Sequence, residues 1–115
     1  MQHSLIKLCA LSSLVLGSAC STAPPPATAP SLSDHSRHLV RVVRQDCGSC
    51  HGMQLTGGLG PPLTPTALAS MPLDSLVATI YHGRPGTPMP GWKTMISEAD
   101  ARWIAEQLRA GFPNE

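Results

Sequence analysis

Cys47, Gly48, Ser49, Cys50 and His51 place two thiols and an imidazole within five residues of a chain otherwise poor in reactive side chains. Three chemistries use such a cluster. A C-x-x-C pair can form a local disulfide or a redox couple, but its usual setting is a strand followed by a helix. Here a helical pattern precedes the motif and a glycine-rich stretch follows it. A structural zinc needs four ligands, and His35, His38, His51 and His82 supply no second C-x-x-C or H-x-x-x-H pair. The third chemistry is covalent haem attachment, C-x-x-C-H. Both sulfurs add to vinyl groups on neighbouring ring edges while the adjacent imidazole turns under the iron as an axial ligand. The complete five-residue signature favours this reading: one haem c, joined through Cys47 and Cys50, with His51 on the metal.

The opposite face of the iron needs a second ligand. Met53 is too close to His51 in sequence to cross the ring, Met71 precedes Pro72 at a helix start, and Met95 lies just ahead of the last helix. Met89 sits in "GTPMPGW", a loop stiffened by Pro85, Pro88 and Pro90 and distant enough for the chain to pass round the ring edge. A loop methionine ordinarily fills a gap. Here a flexible thioether held by flanking prolines suits an iron whose potential is to be raised. His82 is the next candidate, although an imidazole at a helix end is commonly a surface group.

A ligating histidine usually donates its second ring N–H to an acceptor, which fixes the ring. A carbonyl in Gly60-Pro61-Pro62 can serve, as an alternative to these prolines merely stiffening the loop. Trp92 either hydrogen-bonds a haem propionate or packs.

These residues need elements to hold them. Leu39, Val40, Val42 and Val43 follow Ser33 and Asp34 with helical offsets, predicting a first helix from Asp34 to Asp46 and a turn at Gly48. Glycines 57, 58 and 60 with Pro61, Pro62 and Pro65 exclude regular structure in the next stretch, a long loop of the kind that wraps something. Pro65 opens a short helical turn through Ser70. Pro72 opens a helix bearing Leu73, Leu76, Val77 and Ile80 that ends at Gly83. After the Met89 loop, Ser97 caps a last helix with Asp100 at the capping-box position, and Ile104 and Leu108 share a face before Gly111. No strand signal, repeat or βαβ pattern occurs, so the fold class is all-α: three or four short helices with two long loops.

The ends have a different composition. Leu5–Gly17 is an apolar run with Lys7 and the amino terminus at its start and Ser18 and Ala19 after it, too short to span a bilayer and read as a secretory h-region. Residues 1–20 are therefore expected to be a signal peptide, which places the mature protein in the periplasm. Residues 21–32, with "STAPPPATAPS", form a Pro/Ala-rich tether. The domain occupies 33–115, a size at which a cofactor often supplements the core. Its aromatic side chains are Tyr81, Trp92, Trp103 and Phe112. From Arg37 onward, Lys and Arg number seven, equal to Asp and Glu in the domain, so there is no basic field to hold nucleic acid.

The order helix, "CGSCH", "GLGPPLTP", helix, "GTPMPGW", terminal helix resembles the class I c-type cytochromes over nearly all of Ser33 to Phe112. More narrowly, "HGMQLTGGLGPPLTPTAL", "LVATIYHGRPGTPMPGW" and "DARWIAEQL" are similar to the NirC-type cytochromes, small periplasmic proteins associated with the dissimilatory nitrite reductase of haem c and haem d. The resemblance implies a small cytochrome c fold in which the first and last helices cross. Cys47 and Cys50 become thioether positions, His51 the proximal ligand, Met89 the distal ligand, and Pro61 or Pro62 the partner of His51.

The resemblance further implies a one-electron carrier rather than an enzyme, and with no large unsatisfied apolar face in the sequence a monomer is expected. Its partner, in denitrification the nitrite reductase, would dock at the exposed haem edge, where Leu59, Pro61, Gly86, Met89 and Pro90 contribute. Two other functions are to be weighed: maturation of the reductase or its special haem, and gas sensing or catalysis at a labile Met89. The only nearby cation for a distal acid/base role is Arg84. At the amino terminus "LGSAC" resembles a lipoprotein processing site ending at Cys20, but Gly17 stands where that pattern has Leu. A lipid anchor and ordinary cleavage after Ala19 are both open.

Overall fold

A computed structural model describes residues 32–114. The expected signal segment, Cys20 and the tether up to residue 31 lie outside them. Among the described residues the chain is helical with no strand.

Helix α1, Asp34–Val42, starts where Ser33 turns its hydroxyl onto the Ser36 N–H at 3.0 Å, with Asp34 in the first turn pairing with Arg37. It buries Leu39 and Val40. The sequence suggested a helix ending at Asp46 and a turn at Gly48; the chain does otherwise. It widens into a π-helical turn, Val43–Cys47, and continues as α2, Gly48–His51. Gly48 is right-handed and buried, and its N–H reaches back to Val43 O. A side chain there would meet Met53 only at ordinary contact distance, 3.4 Å, so neither a turn nor close approach requires this glycine. The turn falls at Gly52, whose φ of 86° is left-handed. The extra residue of a π turn re-aims whatever follows it, and here that is the thiol and imidazole motif.

From Gly52 the chain makes a compact loop. The N–H groups of Gly57 and Gly60 donate to His51 O and Cys50 O, both at 2.8 Å, satisfying carbonyls that the end of α2 leaves open. Leu55 is left-handed at φ 60°, unusual for its type, yet its side chain is buried in the core and its carbonyl accepts from Leu63 N at 2.8 Å. Thr64 caps α3, Pro65–Leu68, which stops short of the Ser70 expected. Helix α4, Leu73–His82, buries Leu76, Val77 and Ile80, three of the four apolar positions named from the sequence, with Leu73 half-buried beside them. Helix α5, Glu98–Ala110, has the anticipated capping box between Ser97 and Asp100 and ends at Gly111.

One cluster joins these pieces. Leu39, Val43, Leu55 and Leu68 share it with Leu76, Val77 and Ile80 of α4 and Ala101, Ile104, Ala105 and Leu108 of α5. Helix α5 packs chiefly on α4 and α3. Its link to α1 includes a polar tie, His35 Nε2 to Asp100 Oδ1 at 2.7 Å. A second tie comes from Arg44 in the π turn. Its guanidinium donates to Met53 O at 3.2 Å and Pro113 O at 3.0 Å, and it lies over the Phe112 ring at 5.4 Å. The segment carrying the motif is thereby fastened to the loop after it and to the chain's far end.

Hydrogen bonds from His35 and Ser97, in that order of weight, hold the Asp100 carboxyl below its ordinary range against the opposing effect of burial. A carboxyl depressed by folding adds stability above its unfolded value, about 3.9, and loses it as pH falls through the lower folded value. Asp100→Ala is expected to lower the thermal midpoint at pH 7 by about 4–8 °C, the effect of losing a cap worth about 1 kcal/mol in a domain of this size. The difference from the natural protein should narrow below about pH 4. Melting curves across that range check both.

Candidate functional site

His51 is the one polar side chain buried among the described residues, 8% exposed, and a buried imidazole needs partners. Its Nδ1 lies 2.7 Å from Pro61 O. A carbonyl can only accept, so Nδ1 carries the proton and Nε2 keeps its lone pair. That is the tautomer an axial ligand requires. Of the two prolines named from the sequence, Pro61 supplies the acceptor; Pro62 instead packs its ring beside Gly57. Gly60 lies against the imidazole so closely that a Cβ there would be 2.7 Å from Cε1 and 2.8 Å from Nδ1. Glycine at this point lets the loop lie flat on the ring and deliver the next carbonyl to it.

Cys47 is half-buried against the core and Cys50 is exposed, both as free thiols. Burial, followed by the charge of Asp46, pushes the Cys47 thiol up to about 11. Redox pairs and metal thiolates require the opposite, a stabilised anion. Among the described residues no three His, Cys, Asp or Glu side chains gather as a metal site. The donor set and the fixed imidazole fit a covalently attached haem, with Cys47 and Cys50 as the residues that would attach it and His51 as the residue that would hold its metal.

Met89 is half-buried in its loop, and its carbonyl accepts from Arg84 N at 3.1 Å. Trp92 is half-buried, and its backbone N–H donates to Ile80 O at 3.2 Å, a role no local pattern marks. His82 is exposed at the end of α4, edge-on to Tyr81 with centroids 5.0 Å apart. Leu59, Pro61, Gly86 and Pro90, named as a docking edge, are all exposed. Arg44 and the Gly83–Gly91 crossing were not singled out from sequence, because they act through partners distant along the chain. Two cavities, of about 360 Å³ beside Leu32, Val40 and Arg41 and about 250 Å³ beside Asp74, Tyr81 and Arg102, lie away from the motif.

A small helical domain built round C-x-x-C-H, with a fixed imidazole beside two free thiols, is a c-type cytochrome holding one haem c. The family model for the cytochrome C oxidase, cbb3-type, subunit III matches residues 34–107. Cytochrome c55X of Stutzerimonas stutzeri is 45% identical over 113 residues, covering 97% of this chain and 95% of that one. The solved structure of the c-type cytochrome NirC superposes with a TM-score of 0.68 at 51% identity, over 70% of this chain and 95% of that one. A dihydro-heme d1 dehydrogenase NirN in complex with DHE matches with a TM-score of 0.59 at 35% identity, over 65% of this chain but only 16% of its own. The chain belongs to the c-type cytochromes of the NirC, or cytochrome c55X, type.

Gly60→Ala is expected to push the loop off the imidazole and break the His51–Pro61 hydrogen bond. In proton NMR of the ferrous protein the slowly exchanging Nδ1–H signal of His51 should disappear while the haem remains covalently bound.

Proposed function

We propose that this NirC-type cytochrome is an exported one-electron carrier that delivers electrons to dissimilatory nitrite reductase in denitrification, with His51 and Met89 as the axial ligands. When bound, the haem supplies a ferric/ferrous couple. The chain's contribution is to keep its ligands in place through both states, so that no substrate coordinates and little rearranges. His51 is oriented by Pro61, and Met89 lies in a proline-rich loop closed on itself by the Arg84 N–H. That loop is the observation carrying the proposal: a thioether on a closed loop suits a permanent ligand better than an exchangeable one. A Met/His pair also favours a raised potential.

Export rests on the signal-like segment of residues 1–20 and on the resemblance, which equally suggests the tether of 21–32 and an anchor at Cys20 as the alternative to a soluble form. Docking at the haem edge is supported by the exposed apolar and small residues near the two loops, Leu59 at 94% exposure foremost. Balanced domain charge makes the contact weakly dependent on salt. One finding favours a second reading. A dihydro-heme d1 dehydrogenase contains a stretch that resembles this chain, which suits an electron-handling role in maturing the reductase's special haem. Deleting the gene separates the two: carrier loss leaves a complete reductase without electrons, and maturation loss leaves it short of haem d.

In ferric and ferrous absorption spectra, Met89→Ala is expected to abolish the far-red sulfur-to-iron band and admit carbon monoxide, which the natural protein excludes. A spectrum indifferent to the substitution would move the ligand to His82 and the function to sensing or catalysis. Leu59→Glu should leave the spectrum unchanged and slow electron exchange with nitrite reductase several-fold in stopped-flow traces.

A further inference from the structure

The last turn of α4 leaves Ile80 O and Tyr81 O without donors inside the helix. The chain returning from the Met89 loop supplies them: Trp92 N–H reaches Ile80 O at 3.2 Å and Lys93 N–H reaches Tyr81 O at 3.1 Å. On the other side, Arg84 N–H donates to Met89 O at 3.1 Å, and Met89 N–H donates to Thr87 Oγ1 at 3.3 Å. Met89 is thus tied before and after.

Where the incoming and outgoing strands of the loop cross, both positions are glycine. A Cβ on Gly83 would fall 2.5 Å from Gly91 N, 2.6 Å from Pro90 C and 2.8 Å from Met89 O. A Cβ on Gly91 would fall 2.7 Å from both His82 C and His82 O. These neighbours are backbone atoms and cannot swing aside as a side-chain tip does. Gly86, at the tip of the same loop, shares Gly83's φ of 77° but has no neighbour within 4 Å of its built Cβ.

We propose that Gly83 and Gly91 are positioning residues for the distal ligand. Their bare backbones let the loop seat directly on the end of α4, and that seat holds the Met89 thioether against departure. The inference rests on Met89 being the axial ligand. A methyl group at either glycine lifts the loop, raises the fraction of molecules with the thioether away from the metal, and lets an outside ligand take the vacated position. One dative bond replaces another and no electron moves. The apparent affinity of an outside ligand scales with the fraction of the competent state.

The test is titration of ferric holoprotein with imidazole, read at the far-red band, for the natural chain and for Gly83→Ala, Gly91→Ala, Gly86→Ala and Met89→Ala. Gly83→Ala and Gly91→Ala are expected to weaken the band and raise apparent imidazole affinity about ten-fold or more. Gly86→Ala, with the same positive φ but no crowding, should match the natural chain. Far-ultraviolet circular dichroism monitors folding. If Gly91→Ala loses helix content, the test passes to Gly83→Ala, read against Gly86→Ala, which shares its φ without its crowded backbone neighbours. Glycine variants that keep the band and natural imidazole affinity overturn the proposal. So does a Gly86→Ala as labile as Gly83→Ala, which assigns the effect to strain. A band that survives Met89→Ala overturns the ligand assignment itself, a result read without reference to the glycines.

Discussion

A helix end leaves carbonyl oxygens without donors, and a short helix beside a prosthetic group has few places to find them. Here α2 and α4 solve this in the same way: each is capped by the loop it launches. Gly57 and Gly60 return to His51 O and Cys50 O, while Trp92 and Lys93 return to Ile80 O and Tyr81 O. The first loop bears the acceptor for His51, and the second bears Met89. Satisfying the backbone and positioning the chemistry are therefore one act. A change that frees either loop also leaves carbonyls unpaired, at a cost of about 1–3 kcal/mol for each one buried.

Glycine makes this capping possible. A loop that lies on a helix end must bring backbone within touching distance of backbone, and a Cβ at Gly58, Gly83 or Gly91 would occupy the contact. The same economy of side chains explains the slight core. Its aromatic contribution comes from Tyr81, Trp103 and Phe112 at the margin, with aliphatic groups and two alanines of α5 at its centre. A domain of this size is stabilised by a large apolar body that is not a side chain, and covalent attachment through Cys47 and Cys50 keeps it there.

Much of this was legible in the sequence because local signals carried it. Five consecutive residues specify the attachment chemistry, Ser97 and Asp100 mark the start of α5, and the apolar spacing of α4 marks its buried face. The turn at Gly48 was misplaced because this glycine sits in right-handed helical backbone, and the left-handed position falls four residues later at Gly52. The π-helical turn has no compositional mark. Arg44, whose partners include Met53 and Pro113, could not be read from spacing, since neither partner presents more than a backbone carbonyl to it. Choosing between Pro61 and Pro62 likewise depended on which carbonyl the loop aims at the ring, a matter of a single peptide's orientation.

The distinction between a carrier and a ligand-binding haem protein comes down to how firmly the second ligand is held, because both can share an attachment motif, a proximal histidine and a fold. Prolines at 85, 88 and 90 reduce the freedom the loop would gain on opening, since their φ angles are already fixed. Backbone hydrogen bonds on both sides of Met89 add an enthalpic cost to opening. The two act on opposite sides of the equilibrium, one by limiting the open state and the other by stabilising the closed state. A loop built in this way favours permanent ligation, and permanent ligation is what fast, repeated exchange of a single electron requires.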